Sequence, residues 1–222
     1  MSLAVKEMFD GIAPTYDALN RVLSLGTDQR WRRRAVAALG DVRGRRVLDI
    51  CAGTLDLSVL AAAAGAEVVA SDFAAGMLLR GRHKLAAPLV RADAMRLPFR
   101  DGAFGGALCG FGLRNLDQPA VGIREARRVL TPGGRLVILD FFRPRRAITR
   151  AVQALYNRRI LPFIGGVVSG APDAYRYLAA SIDRFATREE VEALARASGF
   201  DRVTGVDLTA GIAALVICEV RT

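Results

Sequence analysis

The sequence predicts an α/β fold with a mostly parallel, seven-stranded sheet, an antiparallel hairpin at one edge and a helical insert. Three observations support this prediction. Short apolar strands alternate with helical segments from about residue 46 to residue 141, which is typical of a parallel sheet covered by helices. A turn of small residues follows the first strand, and two strand-like segments close the chain. We expect one domain over residues 1–222, because the chain is only about one and a half times as long as a typical domain of about 150 residues.

The first forty residues are predicted to form a helical cap. Their pattern is helical from about residue 5 to residue 39, apart from a break near Gly26. Thr27 or Asp28 is predicted to cap the helix that follows the break. Its inner face is expected to be apolar and its outer face basic, with Trp31, Ala35 and Leu39 inside and Arg30, Arg32, Arg33 and Arg34 outside.

Strands and helices alternate from residue 46 onwards. The predicted strands cover residues 46–51, 67–72, 89–93, 107–110 and 135–141, with a turn at 131–134 before the last of these. The helices between them cover residues 57–64, 75–85 and 120–130. A helical insert at 144–180 and a helix at 188–198 precede two closing strands at 202–207 and 214–220.

The ends of the first two strands carry residues suited to a nucleoside-like ligand. Asp49 precedes a turn containing Gly53 and Thr54, where the backbone can approach a ligand at the positive end of a helix dipole. Asp72 follows Gly53 by 19 positions and ends the second strand. A carboxylate at that point can accept hydrogen bonds from both hydroxyls of a ribose.

The third strand ends at Asp93 and Ala94, where an adenine edge is expected to lie. Because the carboxyl ends of parallel strands share one edge of a sheet, these residues join Asp49 and Asp72 there. The sequence lacks the Gly-x-Gly-x-x-Gly pattern of NAD-binding proteins. With the Pro-Gly-Gly turn at 132–134, it instead resembles the class I methyltransferases that use S-adenosylmethionine.

Four blocks make the resemblance narrower, because they are similar to the ubiquinone/menaquinone biosynthesis C-methyltransferases. The blocks are FDGIAPTYDALN at 9–20, VLDICAGT at 47–54, GFGLRN at 110–115 and AYRYLAASI at 174–182. The resemblance covers nearly the whole chain. It implies a Rossmann-like class I methyltransferase fold, S-adenosylmethionine as co-substrate, no metal, and C-methylation of a prenylated quinol in respiratory quinone biosynthesis.

The resemblance also implies roles for individual residues. The residues expected to contact the cofactor are Thr54, Asp72, Asp93, Ala94 and Gly110, and those expected to face the quinol ring are Tyr16, Asp56, Arg114 and Asn115. A carbon acceptor becomes nucleophilic when a phenolic proton leaves, so the site needs a base or a charge that stabilises the phenolate. We expect Arg114, held by Asn115 and Asp56, to supply that charge while water or Tyr16 relays the proton.

Two residues depart from the family pattern. One is Gly105, which stands where an aspartate commonly follows Phe104, and the other is Leu55. The family usually has Gly-Thr-Gly-Asp where this chain has Gly53-Thr54-Leu55-Asp56. If this position needs a positive φ, leucine costs on the order of 1 kcal/mol, and its side chain would crowd the methionine moiety. Two alternatives therefore stay open: a methyltransferase of another small hydrophobic acceptor, and a non-catalytic relative that binds quinone or cofactor. Between the quinol rings we favour demethylmenaquinol, although the residues do not decide it.

The charge of the chain predicts an anionic partner. There are 32 Lys and Arg against 22 Asp and Glu, a net charge of +10, which suits nucleic acid or an anionic membrane. Nucleic acid is disfavoured because no aromatic residue is interleaved with a basic run. In the insert, Ile148, Val152 and Leu155 have helical spacing, which predicts either a basic amphipathic helix on a membrane or an ordinary packed helix with a solvated arginine face. The arginines around them are Arg143, Arg145, Arg146, Arg150, Arg158 and Arg159.

The cysteine usage and the lack of a signal segment predict a cytoplasmic protein, and the implied prenylated substrate leaves open a peripheral contact with the inner face of the membrane. The three cysteines are far apart in sequence and have no histidine nearby, which fits a reducing compartment and argues against a zinc site. We find no signal-peptide core and no apolar run of about 18 residues. A homodimer is left open.

Overall fold

The computed structural model describes residues 26–143 and 180–222, together with residues 11, 21, 24 and 177. Its strands are β1 (Arg46–Ile50), β2 (Glu67–Asp72), β3 (Leu89–Arg91), β4 (Phe104–Gly110), β5 (Leu130–Asp140), β6 (Arg202–Leu208) and β7 (Ala213–Glu219). The helices of the described part are α1 (Thr27–Ala38), α2 (Asp56–Ala63), α3 (Ala75–Gly81), α4 (Pro119–Arg128) and α5 (Arg188–Ala197). Short 3-10 turns occur at Leu113–Asn115 and Thr209–Gly211.

The strands form one seven-stranded sheet in the order β3-β2-β1-β4-β5-β7-β6. Neighbouring strands from β3 to β5 run parallel, whereas β7 runs antiparallel to both β5 and β6. This confirms the predicted fold class, including the antiparallel hairpin at the edge. Within that hairpin the last strand lies inside, between β5 and β6, so β6 forms the edge of the sheet.

Both faces of the sheet are covered, which explains why its strands are continuously apolar. Along β1, Val47 packs into the core layer on the α1 face, while its neighbour Leu48 packs into the layer on the α4 face. Leu108 and Cys109 of β4 divide in the same way. The α1 face contains Trp31 among its buried residues. Each strand therefore contributes alternate residues to two separate core layers.

The start of α1 differs from the prediction. Gly26, with φ of 74°, is its N-cap residue, and no side chain caps the helix. Asp28 is instead buried, where it accepts a hydrogen bond from Ser24 Oγ at 2.8 Å and pairs with Arg32 at 3.4 Å. The prediction of Arg32 on the outer face is therefore wrong, because its guanidinium lies inside between α1 and the sheet edge, over the Phe111 ring.

The predicted turn at 131–134 belongs to β5. Leu130 pairs with Phe104 and Arg135 pairs with Gly106, so the extra residues of β5 form an irregularity in the ladder. Gly133 has a φ of 72°, and its N–H donates to the carbonyl of Val220 at 3.1 Å. The Pro-Gly-Gly sequence thus bends β5 towards the end of the chain without ending the strand.

The helix α1 begins near the carboxyl edge of the sheet, where the predicted site lies. The Trp31 ring packs against Phe111 and Phe141, with centroid distances of 6.5 and 5.9 Å. These two phenylalanines directly follow β4 and β5. The helical insert at 144–180 lies outside the described residues except for 177 and 180. Among the described helices, none has the length and apolar character needed to span a bilayer.

Candidate active site

The turn between β1 and α2 uses left-handed backbone at Cys51, Gly53 and Leu55, with φ of 57°, 54° and 70°. The turn brings Gly53 N–H to Asp72 Oδ2 at 2.9 Å, and Asp72 Oδ1 accepts from Ala74 N–H at 2.8 Å. Asp72 therefore joins the turns that follow β1 and β2. Because a carboxylate has about four acceptor sites, the same group can also accept from ribose hydroxyls.

Leu55 carries the expected strain but does not have the expected position. Its φ of 70° is left-handed, which costs a residue with a Cβ roughly 1–2 kcal/mol. Its side chain is fully buried and packs with Ala70 and Leu78, between β2 and α3. Gly81 makes room for it, since an added Cβ there would lie 2.7 Å from Leu55 Cγ. The expectation that Leu55 crowds the methionine moiety is therefore wrong.

Asp49 lies at the end of β1 and is completely buried. Its Oδ2 accepts a hydrogen bond from Ser58 Oγ at 2.6 Å, while within the described part of the chain Oδ1 has no hydrogen-bond partner. Burial raises the pKa of Asp49 to about 7, against the opposing effects of the Ser58 hydroxyl and the Arg32 charge. A buried acceptor without a partner costs roughly 1–3 kcal/mol. A cationic group of a ligand would therefore gain free energy by supplying the hydrogen bond that Asp49 Oδ1 lacks.

The remaining predicted cofactor residues lie at the ends of β3 and β4. Asp93 Oδ1 accepts from the N–H of Met95 at 2.9 Å, and Ala94 is buried beside it. At Gly110 an added Cβ would overlap Leu57 Cδ1, so a larger residue at this strand end would require the Leu57 side chain to shift. Together the predicted residues at these strand ends form what we call the cofactor rim: Asp49, Gly53, Thr54, Asp72, Asp93, Ala94 and Gly110.

Arg114 lies in the 3-10 turn after β4, and its side chain is only 4% exposed. Its Nη1 donates to Asp140 Oδ1 at 2.5 Å and to the carbonyl of Phe111 at 2.7 Å, and its Nε donates to Ser181 Oγ at 3.4 Å. The guanidinium also lies over the Phe141 ring at 5.6 Å. The arginine is therefore a buried, oriented cation and not a surface charge.

Asn115 is buried beside Arg114 and shares one of its acceptors. Its Nδ2 donates to the Phe111 carbonyl at 3.3 Å, and its Oδ1 accepts from the Tyr177 hydroxyl at 3.2 Å. Burial raises the pKa of Tyr177, while the charge of Arg114 lowers it. We call this group the acceptor cluster: Arg114, Asn115, Asp140 and Tyr177. The fourth predicted ring-facing residue, Tyr16, lies outside the described residues.

Asp56 does not hold Arg114, and that expectation is wrong. At the start of α2 it pairs with Lys84 Nζ at 2.7 Å and with Arg32 Nη2 at 3.9 Å. Its contacts among the described residues include neither Arg114 nor Asn115. Asp56 is therefore held by cations from α1 and from the segment after α3.

The sequence prediction missed Asp140, the residue that does hold Arg114. Asp140 is completely buried at the end of β5, and a signal for it was present. A charged residue directly after the apolar run Leu136–Leu139 must be buried with the strand or must end it. Arg32 and Lys84 were missed because surface helices are rich in such residues. No group of three His, Cys, Asp or Glu side chains suited to a metal ion occurs in the described ranges.

Comparison with known proteins identifies the family of the chain. The model of the ubiE/COQ5 methyltransferase family matches residues 1–219. A demethylmenaquinone methyltransferase of Thermus thermophilus is 45% identical over 215 residues, which are 94% of this chain and 97% of that protein. Another from Deinococcus radiodurans is 44% identical over 225 residues, covering 98% and 93%.

Solved structures share the fold at much lower identity. The [4+2]-cyclase SpnF has a TM-score of 0.73 at 16% identity, covering 98% of this chain and 95% of its own. A possible histamine N-methyltransferase of Thermotoga maritima has a TM-score of 0.69 at 18% identity, covering 96% and 98%. Because the family model matches residues 1–219 and relatives are 44–45% identical over most of the chain, the chain belongs to the ubiE/COQ5 methyltransferase family. This confirms the predicted family and the predicted enzyme class.

Proposed function

We propose that this member of the ubiE/COQ5 methyltransferase family transfers a methyl group from S-adenosylmethionine to a ring carbon of demethylmenaquinol. The acceptor is proposed because several relatives named demethylmenaquinone methyltransferase are 43–45% identical over most of this chain. The observation that carries the proposal is the position of two unlike groups at one sheet edge. The carboxylates of the cofactor rim lie at or just beyond the carboxyl ends of β1, β2 and β3, and the buried guanidinium of Arg114 follows β4.

The cofactor rim fits S-adenosylmethionine. Asp49 Oδ1, buried and unpaired among the described residues, can accept from the ammonium of the methionine moiety. Asp72 can accept from the ribose hydroxyls, and Asp93 with Ala94 can border the adenine. When bound, S-adenosylmethionine supplies an electrophilic methyl group on a sulfonium. Much of the acceleration then comes from holding the acceptor in line with that group.

The acceptor cluster fits a phenol that loses its proton. We assign to Arg114 the stabilisation of the phenolate, because its guanidinium is buried and held in place by Asp140 and the Phe111 carbonyl. A fixed cation in a water-poor site favours the charge that develops during reaction without having to reorganise. Asn115 and Tyr177, hydrogen-bonded to each other, border the same position. Relay of the proton by water or Tyr16 stays a prediction.

The direct test is methyl transfer from labelled S-adenosylmethionine to a short-tailed demethylmenaquinol, kept reduced in detergent. The demethylated benzoquinol precursor of ubiquinol is assayed alongside it. We expect label in the naphthoquinol at several times the rate in the benzoquinol. Label mainly in the benzoquinol would place the enzyme in ubiquinone biosynthesis. Binding of S-adenosylmethionine without transfer to either ring would favour another small hydrophobic acceptor.

We also propose peripheral contact with an anionic membrane, where a prenylated quinol resides. The proposal is supported by the net charge of +10 and by Arg30, Arg33 and Arg34, which are exposed along the outer face of α1. Arg143 is exposed as well, although it pairs with Glu190 at 3.3 Å. The other insert arginines lie outside the described residues, and the homodimer and the cytoplasmic location stay predictions.

A liposome assay tests the membrane contact. Binding to vesicles with anionic lipid should weaken as salt rises, and replacing Arg30, Arg33 and Arg34 with glutamine should weaken it further. Replacement of Arg43, an exposed arginine paired with Asp41 at 3.0 Å, serves as the matched control. Vesicle binding that is unaffected by salt and by the triple replacement would contradict the proposal.

A further inference from the structure

Asp140 is a charged group in the interior of the molecule that the proposed chemistry does not use directly. It ends β5, the strand between β4 and β7, and has no exposed surface. Both of its oxygens are engaged. Oδ1 accepts from Arg114 Nη1 and from the N–H of Phe141 at 2.9 Å, and Oδ2 accepts from the backbone N–H of Arg114 at 3.2 Å. The carboxylate therefore holds both the main chain and the side chain of one residue.

Because Asp140 binds both the main chain and the side chain of Arg114, it restricts where Arg114 can lie. A side-chain bond alone would leave the 3-10 turn at Leu113–Asn115 free to shift, and a backbone bond alone would leave the guanidinium free to rotate. With both present, Nη1 and Nε have acceptors on two sides, Asp140 and Ser181. Among the described residues, Nη2 has no hydrogen-bond acceptor, so this nitrogen is the one left to meet a ligand.

We propose that Asp140 is a positioning residue for the methyl transfer: it acts through Arg114, by holding the guanidinium so that Nη2 is presented to the acceptor oxygen. This inference rests on the proposed function, because it assumes that Arg114 meets the phenolate. A fully buried carboxylate is costly to keep charged unless it is paired and hydrogen-bonded. Arg114 is its charged partner here, so the two residues are expected to behave as a single unit.

The test is a double-mutant cycle with Asp140→Asn and Arg114→Ala, assayed on whichever quinol the wild type methylates. Asn keeps the shape of the side chain but replaces one acceptor with a donor, so the guanidinium should shift. A displacement of about 1 Å at a reacting group can cost up to 100-fold in rate. We expect Asp140→Asn to lower kcat about 10- to 100-fold, with KM for S-adenosylmethionine changed less than about twofold.

The double variant carries the decisive result. If Asp140 acts through Arg114, Asp140→Asn should not slow an enzyme that already lacks Arg114, and the two effects should be strongly non-additive. Asp140→Asn slowing the Arg114→Ala enzyme by the same factor as the wild type would overturn the proposal, as would a full-rate Asp140→Asn enzyme. Wild-type kcat in Arg114→Ala would contradict the proposed role of Arg114 itself, so the two failures are distinguishable.

A matched control and a second variant remove the ambiguity of misfolding. Glu192 is buried on α5 and paired with Arg188 and Arg196, so Glu192→Gln neutralises a buried carboxylate away from the acceptor cluster, and its kcat should stay at the wild-type value. If Asp140→Asn is not folded by circular dichroism, Asp140→Glu is assayed instead, because it keeps the charge that pairs with Arg114 but moves the carboxylate by one methylene. We expect the shifted guanidinium to lower kcat roughly three- to tenfold. A folded Asp140→Glu enzyme with unchanged kcat would overturn the proposal.

Discussion

In the cofactor rim a carboxylate binds the backbone of two turns, whereas in the acceptor cluster side chains bind one another through hydrogen bonds and a buried ion pair. At the rim, Asp72 accepts from the backbone of Gly53 and Ala74. In the cluster, Arg114 and Asp140 meet through side-chain atoms at the ends of two strands. The first arrangement fixes the position of a ligand with little freedom to move. The second places the positive charge of Arg114, whose position depends on Asp140, a residue 26 positions away in the sequence.

This difference indicates that the rim controls cofactor binding, whereas the cluster controls turnover. Changes at the rim should mainly alter cofactor affinity, because its groups face the proposed nucleoside and methionine positions. Changes in the cluster should mainly alter kcat, because Arg114 is proposed to act on charge that develops only during reaction. The following predictions test this separation.

The largest effect is expected from Arg114→Ala. Removing one fixed donor for a developing oxyanion typically costs about 100- to 1,000-fold in kcat, and the Kd for S-adenosylmethionine should stay within about twofold. Steady-state kinetics and calorimetric titration check the two quantities. Since the variant leaves Asp140 buried without its partner, thermal melting must accompany the kinetics. A large loss of cofactor binding in a folded variant would break the separation.

Asp72→Ala should have the converse effect. The Gly53 and Ala74 N–H groups lose their acceptor, and the ribose hydroxyls lose their proposed partner, so we expect Kd for S-adenosylmethionine to rise about 10- to 100-fold, as for one or two hydrogen bonds. At saturating cofactor, kcat should fall much less. Isothermal titration and a rate measurement at several cofactor concentrations check this. Asp41→Ala, at an exposed ion pair, is the control.

Asp49 should make stability depend on pH. Its folded-state pKa of about 7 lies above the ordinary value of 3.8, so the folded protein holds this proton more tightly than the unfolded chain. Its contribution is fully present below about pH 4 and is lost as pH rises through about 7, by up to about 4 kcal/mol. Urea unfolding of wild type and Asp49→Asn at pH 5 and pH 8 checks this. The variant should lose less stability over that interval, and equal losses would contradict the assignment.

The smallest effect is expected from Leu55→Gly. Glycine relieves left-handed strain of roughly 1–2 kcal/mol, but emptying a fully buried leucine site costs about 2–5 kcal/mol. We expect a net loss of about 1–3 kcal/mol in the free energy of unfolding and little change in cofactor Kd. Denaturant melts and titration measure both. A marked gain of cofactor affinity would mean that Leu55 does obstruct the rim.

The sequence alone determined the order of the strands and helices, and it predicts the residues of the rim. The apolar strands between helices predict the sheet, and the rim residues can be chosen because each lies at the end of a strand or in the turn that follows it. Such signals are local, since a turn and its ligand-facing backbone are specified within a few residues. The family resemblance added Arg114 and Asn115, whose block lies directly after β4.

Only the tertiary structure decided which partners hold those residues. Arg114 is held by Asp140, 26 positions away, and Asn115 by Tyr177, 62 positions away. Asp56, expected beside Arg114, pairs instead with Arg32 and Lys84. An ionic side chain can pair with any opposite charge that packing brings close. The spacing of residues along a short segment does not show which distant residues will be packed against it. The direction of Leu55 was decided in the same way, because the space that receives it depends on Gly81 in another helix.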